Sequence, residues 1–221
     1  VKMMLKYGLP ISIGGILSGF LTQFYSNIMA VFVTDNALIG NYSVATSFVV
    51  LISFFATPVT TMLLPAFSKL DFRKEPEVLK SVFQYSVKYA TLIVVPVTAL
   101  VMSLSQPAIS TLFADRYSNA YIFLALLAIT YLFTALGSLS IGNLINSQGD
   151  TKTNLKMTLL TVGIGFPLSF ALVSQFGIIG LIVTTLIVGL PSLFWSLGFI
   201  KKRYGVSIDW VSSAKILLLD Y

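Results

Sequence analysis

The chain has 221 residues, of which 56% are hydrophobic and only 10% are charged, with a net charge of +6 and no cysteine or histidine. A water-soluble domain carries roughly 25% charged residues, so this composition excludes an ordinary soluble protein and indicates one that is solvated by a lipid bilayer. The lack of thiol and imidazole groups excludes disulfide frameworks, cysteine nucleophiles and histidine or cysteine metal sites. We expect no cofactor and no bound metal.

Five uncharged segments predict six membrane spans. They are residues 7–34, 36–68, 89–114, 117–149 and 157–200. A helix crosses the bilayer with about 20 apolar residues, and the fifth segment, with 44 residues, is long enough for two crossings around a turn at 174–177. A β-barrel is disfavoured because its strands would alternate apolar and polar residues. We therefore predict an all-α, polytopic transmembrane helix bundle with spans at about 9–33, 41–67, 83–104, 119–146, 155–174 and 178–200.

Three connecting regions carry further predictions. Pro76 is expected to start a helix that continues into the third span, with Glu77 in its first turn. Residues 105–118 are expected to form a short external helix that lies on the bundle. Residues 205–221 are predicted to be a cytoplasmic segment followed by the start of a further, truncated apolar segment, and we interpret both ends of the chain as cut from a longer protein.

The basic residues predict the orientation. Alternate loops and the two flanks hold 13 of the 14 lysines and arginines, and Arg116 is the exception. Loops rich in lysine and arginine stay in the cytoplasm, so both ends of the chain are predicted to be cytoplasmic in a multi-pass protein of the cell membrane. The net charge is then a topology signal, and no nucleic-acid partner is expected.

Polar residues inside the spans are candidates for a substrate pathway. Gln23 and Asn27 are four residues apart and share a helix face. Amides facing lipid are costly, so this face is expected either to line a wet cavity or to bond a neighbouring helix. Thr57 and Thr61 accompany two prolines, and their hydroxyls are expected to satisfy the backbone carbonyls that the prolines leave free.

A second set of candidates lies towards the cytoplasm. Lys80, Gln84 and Lys88 form one stripe of a helix. The stripe is either a solvated face whose last lysine reaches the lipid headgroups, or a cationic strip at the mouth of a pathway for a phosphate-bearing substrate. Solvation also explains Asn143. The candidate substrate-pathway residues are Gln23, Asn27, Thr57, Thr61, Gln84, Lys88, Tyr131 and Asn143.

Residues 145–156, INSQGDTKTNLK, form a polar island between apolar segments. Their glycine, hydroxyls and lysine suggest a phosphate-binding loop, but the spacing G-x-x-x-x-G-K-[ST] and a preceding strand are both missing. We predict a cytoplasmic turn in which Gly149 ends one helix and Thr151 or Thr153 caps the next. All eight carboxylates of the chain lie outside the predicted spans, so we do not expect an enzyme with a buried acid pair.

Three stretches together resemble a known family. They are residues 40–45 with the helix end at 64–70, the polar island, and residues 175–180 followed by two threonines. The first is similar to a "G-x-Y-S-x-A … L-P-x-x-S-x-L" helix, the second to a "G-x-T-K" loop and the third to an "x-F-G-I-x-G-A-A-x-A-T" turn. With this order, the chain resembles the C-terminal lobe of polysaccharide or lipid-linked oligosaccharide flippases of the multidrug/oligosaccharidyl-lipid/polysaccharide exporter superfamily.

The resemblance implies one six-helix lobe of a two-lobe, MATE-like transporter whose N-terminal lobe lies upstream. Such proteins flip a polyprenyl-linked glycan across the membrane by alternating access, and glycan-assembly enzymes are possible partners. One position departs from the pattern: many relatives carry an acidic residue where this chain has Asn27. Since an amide cannot titrate, proton coupling through this lobe is not expected.

Other functions stay open at this point. A cation-coupled multidrug exporter would need a titratable or ion-binding site that only the upstream half would supply. A non-transporting scaffold for glycan assembly has the same sequence features as a flippase. A membrane glycosyltransferase is disfavoured because the chain shows no acidic site for it.

Overall fold

The chain folds into helices joined by short connections, and the computed structural model describes residues 2–208, without the side chains of residues 2, 3, 114 and 115. The helices are Lys2–Phe32 (α1), Asn36–Ser68 (α2), Pro76–Phe113 (α3), Ala120–Leu132 (α4), Ser138–Ser147 (α5) and Thr151–Tyr204 (α6), with 3-10 turns at Ala114–Tyr117 and Phe133–Leu136. The predicted all-α class is confirmed, as is the helix start at Pro76. The further apolar segment predicted near the end of the chain lies outside the described residues.

Several of these helices are suited to cross a membrane. Helices α1, α2, α3 and α6 are long and apolar enough, and α4 with α5 forms a fifth candidate whose two parts are bent by 52°. Four or five candidates follow from length and composition. The count of six spans therefore stays a prediction, and it requires α6 to cross twice.

Helix α6 is a hairpin of two antiparallel arms. A straight helix of its 54 residues would be about 81 Å long, far more than the hydrocarbon core of about 30 Å. Gly177 interrupts it with φ 58° and ψ −130°, and the Tyr204 hydroxyl at its end lies 2.5 Å from a carboxylate oxygen of Asp150 at its start. We call residues 151–176 the first arm and residues 178–204 the second arm. The turn predicted at 174–177 is thereby confirmed.

Glycines allow close packing around this hairpin. A Cβ atom at Gly180 would overlap the backbone carbonyl of Leu172, so the two arms cross at a distance that only glycine permits. A Cβ atom at Gly165 would lie 2.6 Å from the Tyr25 hydroxyl oxygen and 3.2 Å from Leu21. Helix α1 therefore packs directly on the first arm.

Two apolar clusters close the ends of the bundle. One lies where α2, α5 and α6 end and α3 begins, and its fully buried members include Phe67, Leu79, Phe83, Leu144 and Ile200. The other lies at the end that holds the α1–α2 connection and the hairpin turn, and it includes Val33, Ala45, Ile109, Ala120 and Ile178. The polar groove described below lies between α1, α5 and the α6 arms.

Helix α3 is longer than predicted. It continues through Pro107 to Phe113, so the expected short external helix at residues 105–118 is wrong, and only a 3-10 turn follows. Proline removes one backbone donor from a helix but keeps a compatible φ. Ile109, two residues after this proline, is buried in the core and holds the turn there.

The predicted fourth span is broken in the middle. Gly137 adopts the left-handed conformation with φ 76°, and the axis bends by 52° between α4 and α5. Glycine reaches this conformation without steric strain, and Val87 and Phe83 pack against it, so a Cβ atom there would lie 3.3 and 3.5 Å from them. The span predicted over residues 119–146 is therefore built from two helices, and the two parts together remain a candidate for one crossing.

Asn41, in the first of the three family-like stretches, links α2 to α4. It is buried, its amide nitrogen donates to the Ala37 carbonyl at 2.7 Å, and its side-chain oxygen accepts from the Asn119 backbone at 2.9 Å. Beside it, a Cβ atom at Gly40 would lie 3.2 Å from the Tyr117 ring. This stretch is thus explained by helix packing.

Candidate functional site

A polar groove of about 400 Å³ opens between α1, α5 and both arms of α6. This volume falls within the range of about 300–1,000 Å³ that is usual for small-molecule sites. Of the described residues that line it, none is charged. Its polar side chains are Ser18, Thr22, Ser138, Asn154, Thr158, Thr161, Ser192 and Ser196. All of these except Asn154 lie within the predicted membrane spans.

The groove presents mainly hydrogen-bond acceptors. Five of its hydroxyls donate to a carbonyl of their own helix at 2.7–3.2 Å: those of Thr22, Thr158, Thr161, Ser192 and Ser196. Such a bond uses the hydroxyl proton but leaves oxygen lone pairs free. To bond any of these five hydroxyls, a bound molecule would therefore have to supply the donor.

A second cavity of about 270 Å³ adjoins the groove at the break between α4 and α5. The two share Ser138, Gly189 and Leu193. Thr134 lines the second cavity and is only 1% exposed, and its hydroxyl has no hydrogen-bond partner among the described residues. An unsatisfied buried hydroxyl costs about 1–3 kcal/mol, and a molecule bound in this cavity would remove that cost.

Gln23 and Asn27 lie together on an exposed face of α1. The Gln23 amide nitrogen is 3.5 Å from the Asn27 side-chain oxygen, as their spacing predicted. In the described part of the chain they bond each other and no neighbouring helix. Gln23 follows Thr22 of the groove but points about 100° away from it around α1, so the pair forms a separate polar face beside the groove. Neither residue lines the groove or the second cavity, so neither interpretation is confirmed.

Thr57 and Thr61 are exposed on α2. Their hydroxyls donate to the carbonyls of Ser53 at 2.8 Å and Pro58 at 2.9 Å. The carbonyls that Pro58 and Pro65 leave free lie four residues before each proline, and these hydroxyls bond neither of them. The expectation that they satisfy the freed carbonyls is wrong.

The stripe on α3 divides into two roles. The Gln84 amide nitrogen donates to the Ser207 carbonyl at 3.1 Å, so it fastens the segment after α6 to the bundle. Lys88 is exposed between Tyr85 and Tyr89, whose rings stack with centroids 6.3 Å apart. Exposed tyrosines beside a lysine are typical of the membrane interface. The exposure of Lys88 fits a contact with lipid headgroups, and it also fits a cationic strip at the mouth of a pathway.

The fourth predicted span places its two candidates differently. The Tyr131 hydroxyl lies 2.6 Å from the Ser53 hydroxyl and lines the second cavity. Asn143 donates to the Leu139 carbonyl of its own helix at 2.9 Å. Of the eight predicted residues, Tyr131 alone contributes to the lining of the groove or of the second cavity.

The groove itself was not predicted from the sequence. One signal was available, because hydroxyl or amide residues recur four positions apart on each of three segments. These pairs are Ser18 with Thr22, Asn154 with Thr158, and Ser192 with Ser196. Each pair marks one polar helix face, although the sequence does not show that the faces meet.

The polar island at residues 145–156 fastens helix ends together. The Gln148 amide nitrogen donates to the carbonyls of Phe67 at 3.1 Å and Leu70 at 2.9 Å, and its side-chain oxygen accepts from the Phe72 backbone at 3.3 Å. Gln148 thus satisfies the end of α2. Gly149 has φ 81°, which confirms that it ends the preceding helix.

Asp150, and not a threonine, precedes α6 as its N-cap residue, so the predicted threonine cap is wrong. Its carboxylate accepts the Tyr204 hydroxyl and lies 3.7 Å from the Arg203 Nε atom. Burial raises the pKa of Tyr204, and the hydrogen bond to Asp150 raises it further, so the phenol is a neutral donor at physiological pH. Arg203 also lies over the Phe72 ring, 5.5 Å from its centroid.

We expect Gln148→Ala to lower the free energy of unfolding by about 2 kcal/mol, because three hydrogen bonds of about 0.5–1.5 kcal/mol each are lost. For a chain of this size the melting temperature should fall by roughly 4–8 °C, measured on the purified protein in detergent. Gln175→Ala removes an exposed amide at the hairpin turn and should leave it unchanged. Equal melting temperatures of both variants would contradict the role of Gln148.

The helix bundle and its polar groove define a polytopic membrane protein. The model of the family described as "Polysaccharide biosynthesis protein" matches residues 1–122, more than half of the chain. The chain belongs to this polysaccharide biosynthesis family, which confirms the family suggested by the three sequence stretches.

A relative is found among archaeal membrane proteins. An uncharacterized membrane protein of Methanocaldococcus jannaschii is 26% identical over 194 residues, which cover 84% of this chain and 36% of the relative. The chain therefore spans about a third of the length of the curated relative that it matches. No solved structure matches the chain significantly.

Proposed function

We propose that the chain forms part of a transporter that flips a polyprenyl-linked oligosaccharide across the cell membrane, for assembly of a surface polysaccharide or of glycoprotein glycans. The observation that carries this proposal is the uncharged polar groove within the predicted spans. Membership of a polysaccharide biosynthesis family supports it. The proposed activity is transport, without enzymatic conversion of the glycan.

The groove would lower the main energetic barrier to such transport, which is the desolvation of the polar headgroup. A polar headgroup that enters about 30 Å of hydrocarbon loses its hydrogen bonds to water, at a cost of several kcal/mol for each unsatisfied group. Ser18 and Thr22 supply partners near the middle of the first predicted span, and Gln23 and Asn27 extend the polar surface. These residues provide a route on which the headgroup exchanges water for protein hydrogen bonds.

The proposal also assigns this chain a place within the whole transporter. The chain acts as the C-terminal lobe, with both of its ends in the cytoplasm, and an N-terminal lobe of the same protein covers the exposed polar faces of α1 and α2. The two lobes rock against each other around the groove in an alternating-access cycle. Glycan-assembly enzymes on either side of the membrane would supply and consume the lipid-linked glycan.

Deletion of the full-length gene tests this function in cells. We expect surface or protein-linked glycan to fall and lipid-linked oligosaccharide to accumulate in the cytoplasmic leaflet, and both changes should reverse when the gene is restored. Normal glycan in the deletion strain, together with increased sensitivity to cationic drugs, would contradict the proposal and support a multidrug exporter.

A further inference from the structure

We infer that the groove binds an uncharged sugar of the transported glycan and excludes the phosphate groups that join the glycan to its lipid. This inference rests on the proposed function and adds which part of the substrate the groove recognises. Three observations support it: the hydrogen-bond character of the lining, its lack of charge, and the unpaired hydroxyl of Thr134 in the adjoining cavity.

The hydrogen-bond character favours a ligand rich in donors. The five hydroxyls that donate to their own helices keep only acceptor capacity for a ligand. One N–H of the Asn154 amide donates to the Asn146 side-chain oxygen at 3.1 Å, which leaves only its second N–H for a ligand. Sugar hydroxyls both donate and accept, whereas an ionised phosphate ester only accepts. A sugar therefore matches this lining better than a phosphate does.

The charges around the groove point in the same direction. A buried anion without a cationic or donor-rich partner is strongly disfavoured, and the described lining residues include no lysine or arginine. Lys152 and Lys156 belong to the first arm, but both are exposed and neither lines the groove. Phosphates of the substrate are better stabilised by exposed lysines such as these, near the start of α6, than by the uncharged lining of the groove.

The second cavity extends the same site. Thr134 is almost fully buried there and its hydroxyl has no partner among the described residues. Ser138 lines both cavities, so a ligand in the groove can reach into the break between α4 and α5. The added volume of about 270 Å³ gives space for part of a second sugar ring or for a bulky ring substituent.

Gly189 allows the groove to be filled with little disturbance of the fold. It lines both cavities, and a Cβ atom there would meet nothing within 4 Å. Gly189→Leu therefore places a side chain in open space. Gly198→Leu is the matched control, because Gly198 is exposed on the same arm, its Cβ atom would also meet nothing within 4 Å, and it lines neither cavity.

The test measures binding to the full-length protein in detergent with two probes: a polyprenyl diphosphate that carries a neutral disaccharide, and the same lipid without sugar. We expect the wild-type protein and Gly198→Leu to bind the glycosylated lipid about tenfold more tightly than the bare lipid. Gly189→Leu should remove this preference and leave the Kd of the bare lipid unchanged. The isosteric double variant Thr158→Val/Thr161→Val, which removes two acceptors and little volume, should reduce the preference.

Several results would overturn the inference. Equal binding of both lipids by the wild-type protein would do so, and so would loss of affinity for both lipids in Gly189→Leu. If Gly189→Leu changed how lipid binding depends on sodium but left the sugar preference unchanged, the groove would be a cation-binding site instead. A flipping assay on the same preparations separates the two claims: absence of flipping by the wild-type protein contradicts the proposed function, while the binding ratio still reports on the groove.

Discussion

Replacing Gly180 with alanine is expected to lower the free energy of unfolding by about 3 kcal/mol, the largest effect that we expect from adding one methyl group. The new Cβ atom would overlap the Leu172 carbonyl and lie 3.0 Å from the Val173 backbone nitrogen. Backbone atoms cannot rotate away as a side chain can, so the two arms of α6 would have to separate, and overpacking of this kind costs about 1–3 kcal/mol or more.

Thermal unfolding of the purified full-length protein in detergent measures this effect. Gly189→Ala is the matched control, because it adds the same methyl group to the same arm at a position where nothing lies within 4 Å. We expect a clearly lower melting temperature for Gly180→Ala and a wild-type value for Gly189→Ala. If the two variants melt together at the wild-type temperature, the close crossing of the arms is wrong.

The second large effect concerns transport. Replacing both Gln23 and Asn27 with leucine is expected to slow flipping by about tenfold or more, since each lost hydrogen bond to a polar headgroup is worth about 0.5–1.5 kcal/mol and tenfold corresponds to about 1.4 kcal/mol. Both side chains are exposed in this lobe. The double variant should therefore keep the wild-type melting temperature.

Gln175→Leu is the control for this experiment, because it makes the same kind of change at an exposed position in the hairpin turn. Initial flipping rates in proteoliposomes, normalised to the amount of protein, measure the effect. If the α1 face simply contacted lipid, the double variant would flip at the wild-type rate and melt at a higher temperature. That outcome would remove the α1 face from the proposed pathway.

Much of the fold was predictable because the bilayer restricts the possibilities. Long uncharged segments in a lipid-solvated chain have to be helices, and the sequence around Gly177 marked the hairpin turn within one apolar segment. Local rules also identified the end of a helix at Gly149 and the start of α3 at Pro76. These features depend on residues close together in the chain.

Features that depend on tertiary packing were not predictable. A glycine in an apolar helix is compatible with close helix packing or with a break, and at Gly137 the contacts with Val87 and Phe83 accompany the break. Residues 105–118 were expected to form a separate external helix, but burial of Ile109 holds the turn after Pro107 against the core as part of α3. Asp150 was assigned to a simple loop, although its partner Tyr204 lies 54 positions away in the chain.

The candidate site shows the same limit more clearly. A hydroxyl that donates to its own helix, as those of Thr158 and Ser192 do, gives no sign in the sequence that its lone pairs face a cavity. The groove exists because α1, α5 and two antiparallel arms bring such faces together. Amides are rare in membrane spans, and they were therefore selected as candidate pathway residues. The groove, however, is built mainly from serine and threonine.

Flipping of a lipid-linked oligosaccharide in proteoliposomes tests the central claim most directly. The full-length protein is reconstituted with a fluorescent polyprenyl-diphosphate oligosaccharide, and a membrane-impermeant quencher measures the fraction in the outer leaflet over time, with and without an ion gradient. We expect the wild-type protein to exchange the probe between leaflets, and Gly189→Leu to be much slower than Gly198→Leu. Retention of the probe in its original leaflet with correctly folded wild-type protein, under every gradient, would contradict the account.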